Sequence, residues 1–255
     1  MATTAMHNTL APDVETASDA YRGRFASPAG QYFLQVQTAL VAELLDDLDS
    51  PLRVLEVGGG HGQLTPHLLD RGYEVWVHGS DARCDRQIRS QLMREPRLQF
   101  VSSSLWSLPF DDTEFDVVIG LRLMAHVEDW RGLLREMGRV SRRRVLIDYA
   151  SAVGFNAFSR LLFGAKRRVE GNTRPFFCHR GGAVQAALRK VGFRVTGSRS
   201  QFFLPMAVHR LWDRPGVSSV LEVCSRGVGL TRLLGSPVLL RADREANGRA
   251  RRGGA

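Results

Sequence analysis

Apolar positions in this chain first follow a helical period and then break into short runs. Phe33, Val36, Leu40, Val41, Leu44, Leu45 and Leu48 recur at helical spacing. They predict a helix over residues 30–48 that stops before Ser50-Pro51. From residue 52 short apolar runs alternate with amphipathic stretches. Strands are predicted over 52–57, 73–78, 98–102, 115–120 and 144–149, with helices over 63–70, 82–94 and 130–140 between them. In the last of these helices Leu133, Leu134, Met137 and Val140 share one face. After Ala150 the rhythm is lost over 151–179. It returns with a helix over 182–191 and a strand over 193–198, fails again over 202–235, and ends with a strand over 237–240. Strand–helix alternation of this kind builds a parallel sheet covered on both faces. The expected fold class is therefore α/β: a doubly wound, mostly parallel seven-stranded sheet with helical cap insertions.

The same pattern divides the chain. Residues 1–17 are small and polar, without a period, and are expected to be disordered. A single domain is expected over 18–243, with a ligand-binding core at 50–150 and cap or substrate insertions at 151–179 and 202–235. Residues 244–255 read as a basic, disordered tail. The sequence contains no apolar run of about 18 residues, so no membrane span is expected. Its first thirty residues do not read as a secretory signal. The three cysteines, Cys84, Cys178 and Cys224, are odd in number and have no metal-ligand spacing. Neither a disulfide framework nor a metal site is expected, and the implied compartment is the reducing cytoplasm.

The chemistry-bearing signal is Val54-Leu55-Glu56-Val57-Gly58-Gly59-Gly60-His61-Gly62, at the end of a strand and the start of a helix. Glycines allow a sharp turn and bring backbone amides close to a ligand. The helix that follows favours a negative group at its N-terminus. A dinucleotide loop places its third glycine to pack beneath a pyrophosphate; here that position is Gln63. The glycines fall at 58, 60 and 62 instead, two places after Glu56. Asp81 follows Gly58 by 23 residues, near the spacing of about 20 at which an acid meets ribose hydroxyls. It also stands where a helix N-cap is needed.

These blocks resemble the class I S-adenosylmethionine-dependent methyltransferases, within the broad group that includes ubiquinone/menaquinone C-methylases. The matching stretches are Val54–Thr65, Gly79-Ser80-Asp81, Leu108–Asp112, Phe115–Val118, Leu123–Val127 and Leu134–Val140. The resemblance spans about residues 50 to 150 and implies a Rossmann-like fold. It implies that Glu56 organises the methionine amino end and that Gly58, Gly60 and Gly62 pass under the methionine and ribose. By the same resemblance Asp81 holds the ribose hydroxyls with Ala82 beside them. Ser104 and Leu105 stand at the adenine, and Leu121 flanks the methionine chain. Ser104 replaces the acid usual in this group, and a hydroxyl binds an amino group more weakly than a carboxylate does. Ser141-Arg142-Arg143-Arg144 replaces the Gly/Pro turn usual before the fifth strand, a change expected to affect only a turn.

Methyl transfer from a sulfonium needs alignment above all, with a base when the nucleophile carries a proton. His126, after the fourth strand, is the candidate base, and its alternative role is to shape that loop. His179 is a second candidate. His61, in the glycine loop, is expected to meet cofactor or solvent. Substrate recognition is expected in the insertions, where Phe155, Phe158, Phe163, Phe176 and Phe177 accompany Lys166, Arg167, Arg168 and Arg174. Aromatic walls with a few charges suit a small organic acceptor with a negative or strongly polar group. The formal charge of +9 gives a general attraction to anions. Lys166 and Lys190 are the only lysines among 35 basic residues, an arginine bias that a GC-rich genome also produces. A nucleic-acid partner is not expected, since no recognition domain, zinc cluster or base-methylase motif accompanies the charge. A nucleic-acid methyltransferase and a non-catalytic cofactor-binding protein are the two alternatives. A homo-oligomer stays open.

Overall fold

Five apolar runs pair side by side as parallel strands: β1 (Arg53–Val57), β2 (Glu74–Gly79), β3 (Leu98–Ser102), β4 (Phe115–Gly120) and β5 (Ser141–Tyr149). With β6 (Phe193–Ser200) and β7 (Val238–Arg244) they form a seven-stranded sheet in the order β3-β2-β1-β4-β5-β7-β6. β7 runs antiparallel to both neighbours. The computed structural model describes residues 11–154, 176–205, 208–210 and 214–245. The expected class, a mostly parallel, Rossmann-like sheet with helices on both faces, is the fold of the chain.

The helices are α1 (Asp13–Thr16), α2 (Asp19–Gly23), α3 (Pro28–Leu45), α4 (Thr65–Asp70), α5 (Arg89–Leu92), α6 (Trp130–Val140), α7 (Gly181–Lys190), α8 (Pro215–Gly227) and α9 (Leu230–Leu234). Alternation along the central strands sends side chains into two cores. Leu55, Val118 and Ile147 join Leu133 and Met137 of α6 and Leu188 of α7 in one. Val54, Val117 and Leu146 join Val41, Leu44 and Leu45 of α3 and Leu68 of α4 in the other. This two-sided burial is why β4 reads as an unbroken apolar run. Helix starts follow from local chemistry. Ser27 accepts from the Gly30 amide at 3.2 Å, with Pro28 opening α3. Asp129 accepts from the Gly132 amide at 2.9 Å at the head of α6.

Several expectations are corrected. Within residues 1–17, expected to be disordered, Asp13–Thr16 is a helix with Asp13, Thr16 and Ala17 buried. Tertiary partners satisfy its polar groups, so a lack of apolar period does not mean a lack of structure here. Residues 82–94 form no single helix; a 3-10 turn over Ala82–Asp85 and the short α5 replace it. Cys84 and Ile88, both fully buried, imitate a helical period from two separate turns. Residues 202–235 contain α8 and α9 rather than only irregular chain. Ser141–Arg144 is no turn: it opens β5 directly after α6. There the buried Arg144 guanidinium pairs with Asp47 at 2.7 Å and Asp243 at 2.6 Å, tying α3's end to β5 and β7. Arg244 and Glu245 are ordered as well, with Arg244 donating to the Gly138 carbonyl at 2.6 Å. Phe155, Phe158, Phe163, Lys166, Arg167, Arg168, Arg174 and residues 246–255 lie outside the described residues.

Candidate cofactor and active site

Strand order reverses between β1 and β4, and ligands of such sheets bind at the carboxyl ends of the strands near that point. Gly58 follows β1, Ser80 and Asp81 follow β2, Ser103 and Ser104 follow β3, and Leu121 and Arg122 follow β4. The glycine loop needs its residue types for specific reasons. Gly58 and Gly62 have φ of 68° and 63°, a region that side chains disfavour. A Cβ on Gly60 would stand 2.3 Å from the Cys84 carbonyl oxygen. Gly60 thus admits the backbone of the Ala82–Asp85 turn; its lack of a side chain serves this approach before any ligand arrives.

Glu56 lies buried beneath this loop and accepts from the Thr65 hydroxyl at 2.6 Å, linking β1 to the first turn of α4. Burial pushes its pKa up to about 7, against the lowering effect of the Thr65 bond and the Arg122 charge. His61 does not meet solvent. It is buried, its Nδ1 accepts from the Gln63 amide at 3.1 Å, and burial holds its pKa well below the ordinary histidine value. Asp81 caps the following turn, accepting from the Arg83 amide at 2.8 Å and pairing with the Arg83 guanidinium. Ala82 and Ser104 are exposed, and the Ser104 hydroxyl accepts from the Trp106 amide at 3.2 Å. The side chains of Leu105 and Leu121 are buried in the two cores. Any contact of theirs with a ligand therefore falls to the backbone.

His126 ends a three-residue turn, Met124–His126, and its half-buried ring stands edge-on to Phe176 with centroids 5.8 Å apart. His179 is placed differently from a free base. Its Nε2 lies 3.2 Å from the Met124 carbonyl, its ring packs on Trp130, and burial lowers its pKa. It fastens residues 176–180 to the His126 turn, which the Phe177 amide also meets by donating to the Ala125 carbonyl at 2.8 Å.

Three further residues enter the site that the sequence reading did not single out. The Asp13 carboxylate accepts from the Ser80 amide at 2.8 Å and from the Ser80 hydroxyl. Its Cβ lies 3.6 Å from where a Cβ on Gly58 would be, so α1 covers the glycine loop. Asp148 on β5 is buried, accepts from the Arg122 amide at 2.5 Å and from Gln37 at 3.0 Å, and has its pKa raised to about 6 by burial. Arg122 holds φ at 57°, an uncommon conformation for a non-glycine residue. A carboxylate inside an otherwise apolar strand, Ile147-Asp148-Tyr149, was the visible signal for Asp148. No local pattern marks the other two.

The elements fit S-adenosylmethionine: a glycine turn at the switch point, an acid at the end of β2, and exposed Ala82 and Ser104 on the flank toward β3. Residues 54–144 match the protein family described as methyltransferase domain. The matched segment carries the glycine turn and the acid after β2, so this part of the chain is similar to a methyltransferase domain, and S-adenosylmethionine is the cofactor that its elements fit. A curated relative, malonyl-(acyl-carrier protein) O-methyltransferase of Halorhodospira halophila, is 33% identical over 114 residues, covering 42% of this chain and 38% of the relative. The chain thus matches well under half the length of that relative. Among solved structures, magnesium protoporphyrin IX methyltransferase from Synechocystis with bound S-adenosylhomocysteine superposes with a TM-score of 0.62 at 17% identity, over 85% of each chain. Haemonchus contortus phosphoethanolamine N-methyltransferase 2 gives a TM-score of 0.57 at 15% identity, over 82% of this chain and 52% of that one. At these identities both show the fold alone. No described helix is long and apolar enough to cross a membrane.

Proposed function

We propose that this chain transfers a methyl group from S-adenosylmethionine to an oxygen, nitrogen or carbon of a small-molecule acceptor in the cytoplasm, within the ubiquinone/menaquinone C-methylase-like group. The observation that carries the reading is the glycine turn at the β1/β4 reversal, with Glu56 beneath it and Asp81 at the end of β2. In this reading Gly58, Gly60 and Gly62 line the methionine and ribose, Asp81 and Ala82 hold the ribose, and Ser104 and Leu105 meet the adenine. Glu56 and Leu121 flank the methionine chain. The bound cofactor supplies a methyl group already activated on sulfur. The chain's own part is to align the acceptor and exclude water. His126, on the turn after β4, takes the acceptor's proton where the nucleophile carries one.

The test is calorimetry followed by turnover. The chain should bind S-adenosylmethionine and S-adenosylhomocysteine but not NAD. With a panel of hydroxyl, amine and activated-carbon acceptors it should release S-adenosylhomocysteine. Tighter binding of NAD, or cofactor binding with no turnover on any acceptor class including RNA and DNA, would overturn the reading.

A further inference from the structure

The Nε and Nη2 edge of the Arg122 guanidinium carries no hydrogen bond among the described residues. Its Nη1 donates to the Gln63 side-chain carbonyl, which orients the group toward the end of the glycine loop. Its Nε is buried and has no hydrogen-bond partner among the described residues. Nε and Nη2 form the opposite edge of the guanidinium, the fork whose two N–H groups match the two oxygens of a carboxylate. Leaving a buried charged donor unpaired is costly, because the lost hydration is not replaced. The left-handed backbone at Arg122 adds strain, and such strain is retained chiefly at functional sites.

The surroundings add positive charge, and the two buried carboxylates that feel the Arg122 charge, Glu56 and Asp148, make no hydrogen bond to its guanidinium among the described residues. The Arg122 guanidinium lies 5.9 Å from the Tyr21 ring centroid and 5.1 Å from that of Phe25. Arg24 lies 5.4 Å from Tyr21, and Arg210 lies 5.9 Å from Phe25. Three cations therefore meet at one tilted aromatic pair, whose rings are 5.4 Å apart. Burial and the neighbouring Arg24 lower the basicity of Arg210, as expected where like charges crowd. Of the carboxylates nearby, Glu15 pairs with Arg24 at the surface. Asp148 takes its hydrogen bonds from the Arg122 amide and Gln37 and feels the Arg122 guanidinium only as a charge. Glu56 accepts from Thr65, and burial keeps it partly protonated near neutrality.

We propose that the free Arg122 edge, backed by Tyr21 and Phe25 and assisted by Arg24 and Arg210, is the recognition site for a carboxylate on the methyl acceptor. The acceptor is then a small organic acid whose apolar body packs on the two rings. Gln63 fixes the fork from the cofactor side, so one residue couples the glycine loop to acceptor recognition. The proposal rests on the methyltransferase reading only in naming the anion an acceptor; the anion site itself is measurable without the cofactor.

The test titrates benzoate and its neutral analogue benzamide into the full chain by calorimetry, with and without saturating S-adenosylhomocysteine. Benzoate should bind at least tenfold more tightly than benzamide. Arg122→Lys keeps the charge but loses the fork, and should weaken benzoate at least tenfold while benzamide binding stays as it is. Equal binding of benzoate and benzamide, or no benzoate binding in either state, overturns the proposal without any variant. It is also overturned if Arg122→Lys weakens S-adenosylhomocysteine tenfold while sparing 5′-methylthioadenosine. That analogue lacks the amino-acid carboxylate, so the fork would then belong to the cofactor. If the wild-type chain binds benzoate but not S-adenosylhomocysteine, the anion site stands and the methyltransferase reading fails.

Discussion

Asp13 closes α1 over the end of β2 by accepting from the Ser80 amide at 2.8 Å and from the Ser80 hydroxyl. Gly58, Gly59 and Gly60 are buried, Gly58 against Leu123 and Asp13, Gly59 against Glu56 and Gly60 against the Cys84 turn. Asp13 stands within van der Waals reach of Gly58, so a cofactor lying along the glycine loop is expected to compete with the Asp13 bonds. A conformation that has to be left before binding lowers apparent affinity by its own stability. Asp13→Ala should therefore tighten S-adenosylhomocysteine binding, by roughly tenfold if one charge-assisted bond of about 1.5 kcal/mol is relieved. The thioether product is the right probe, because S-adenosylmethionine would also feel the lost negative charge. Calorimetry decides: weaker binding in the variant would make Asp13 a cofactor ligand instead of a cover.

Asp81 already serves the turn it precedes, through the Arg83 amide at 2.8 Å and the Arg83 guanidinium. Removing its carboxylate should have two separable effects. The lost cap should lower stability by about 1 kcal/mol. The lost acceptors for ribose should lower S-adenosylmethionine affinity roughly tenfold or more. Asp81→Asn keeps the cap and weakens only the second, so melting temperature and calorimetric affinity should separate in this pair. If Asp81→Ala leaves affinity intact, the ribose role belongs elsewhere.

Glu56 predicts a pH dependence. Its folded pKa is raised from 4.5 to about 7, with burial the largest cause. Between these values the folded chain keeps a proton that the unfolded chain releases, so this group makes stability fall as pH rises, with no further loss above about pH 7. Glu56→Gln cannot titrate, and its amide oxygen can still accept from Thr65. The variant should gain on the wild type from pH 4.5 to pH 7, by at most roughly 3 kcal/mol at about 1.4 kcal/mol per pKa unit. Urea unfolding at pH 5 and pH 8 measures the gain. A stability difference that does not change with pH would show that Glu56 ionises normally.

The sheet was legible because buried parallel strands read as continuous apolar runs, as in Phe115–Gly120, and because glycines punctuate the β1–α4 turn. Helix α6 was legible from one apolar face and its Asp129 cap. What the sequence hides is tertiary. Asp13 stands in a polar segment, and only the folded chain brings it to Ser80, 67 positions away. Arg122 sits in a left-handed conformation that no local residue type announces. Cys84 and Ile88 imitate one helix because burial alone sets their spacing. In each case burial comes from a partner distant in sequence, which periodicity does not report.

His126 offers the sharpest check on mechanism. Its turn is held from below by the buried Leu123 and Met124, and from the side by the Phe177 amide and by His179 at the Met124 carbonyl. The turn can therefore tolerate loss of the imidazole, and His126→Ala should leave S-adenosylmethionine affinity unchanged. If the imidazole takes the acceptor's proton, turnover should drop about a hundredfold or more, with the Michaelis constant little affected. The wild-type rate should rise with pH as the base gives up its proton, and the variant should lose that limb. Single-turnover kinetics with the best acceptor from the panel separates proton transfer from product release. A loss below tenfold with the pH limb intact would assign His126 to shaping the Phe176 edge, leaving alignment alone to carry the methyl transfer.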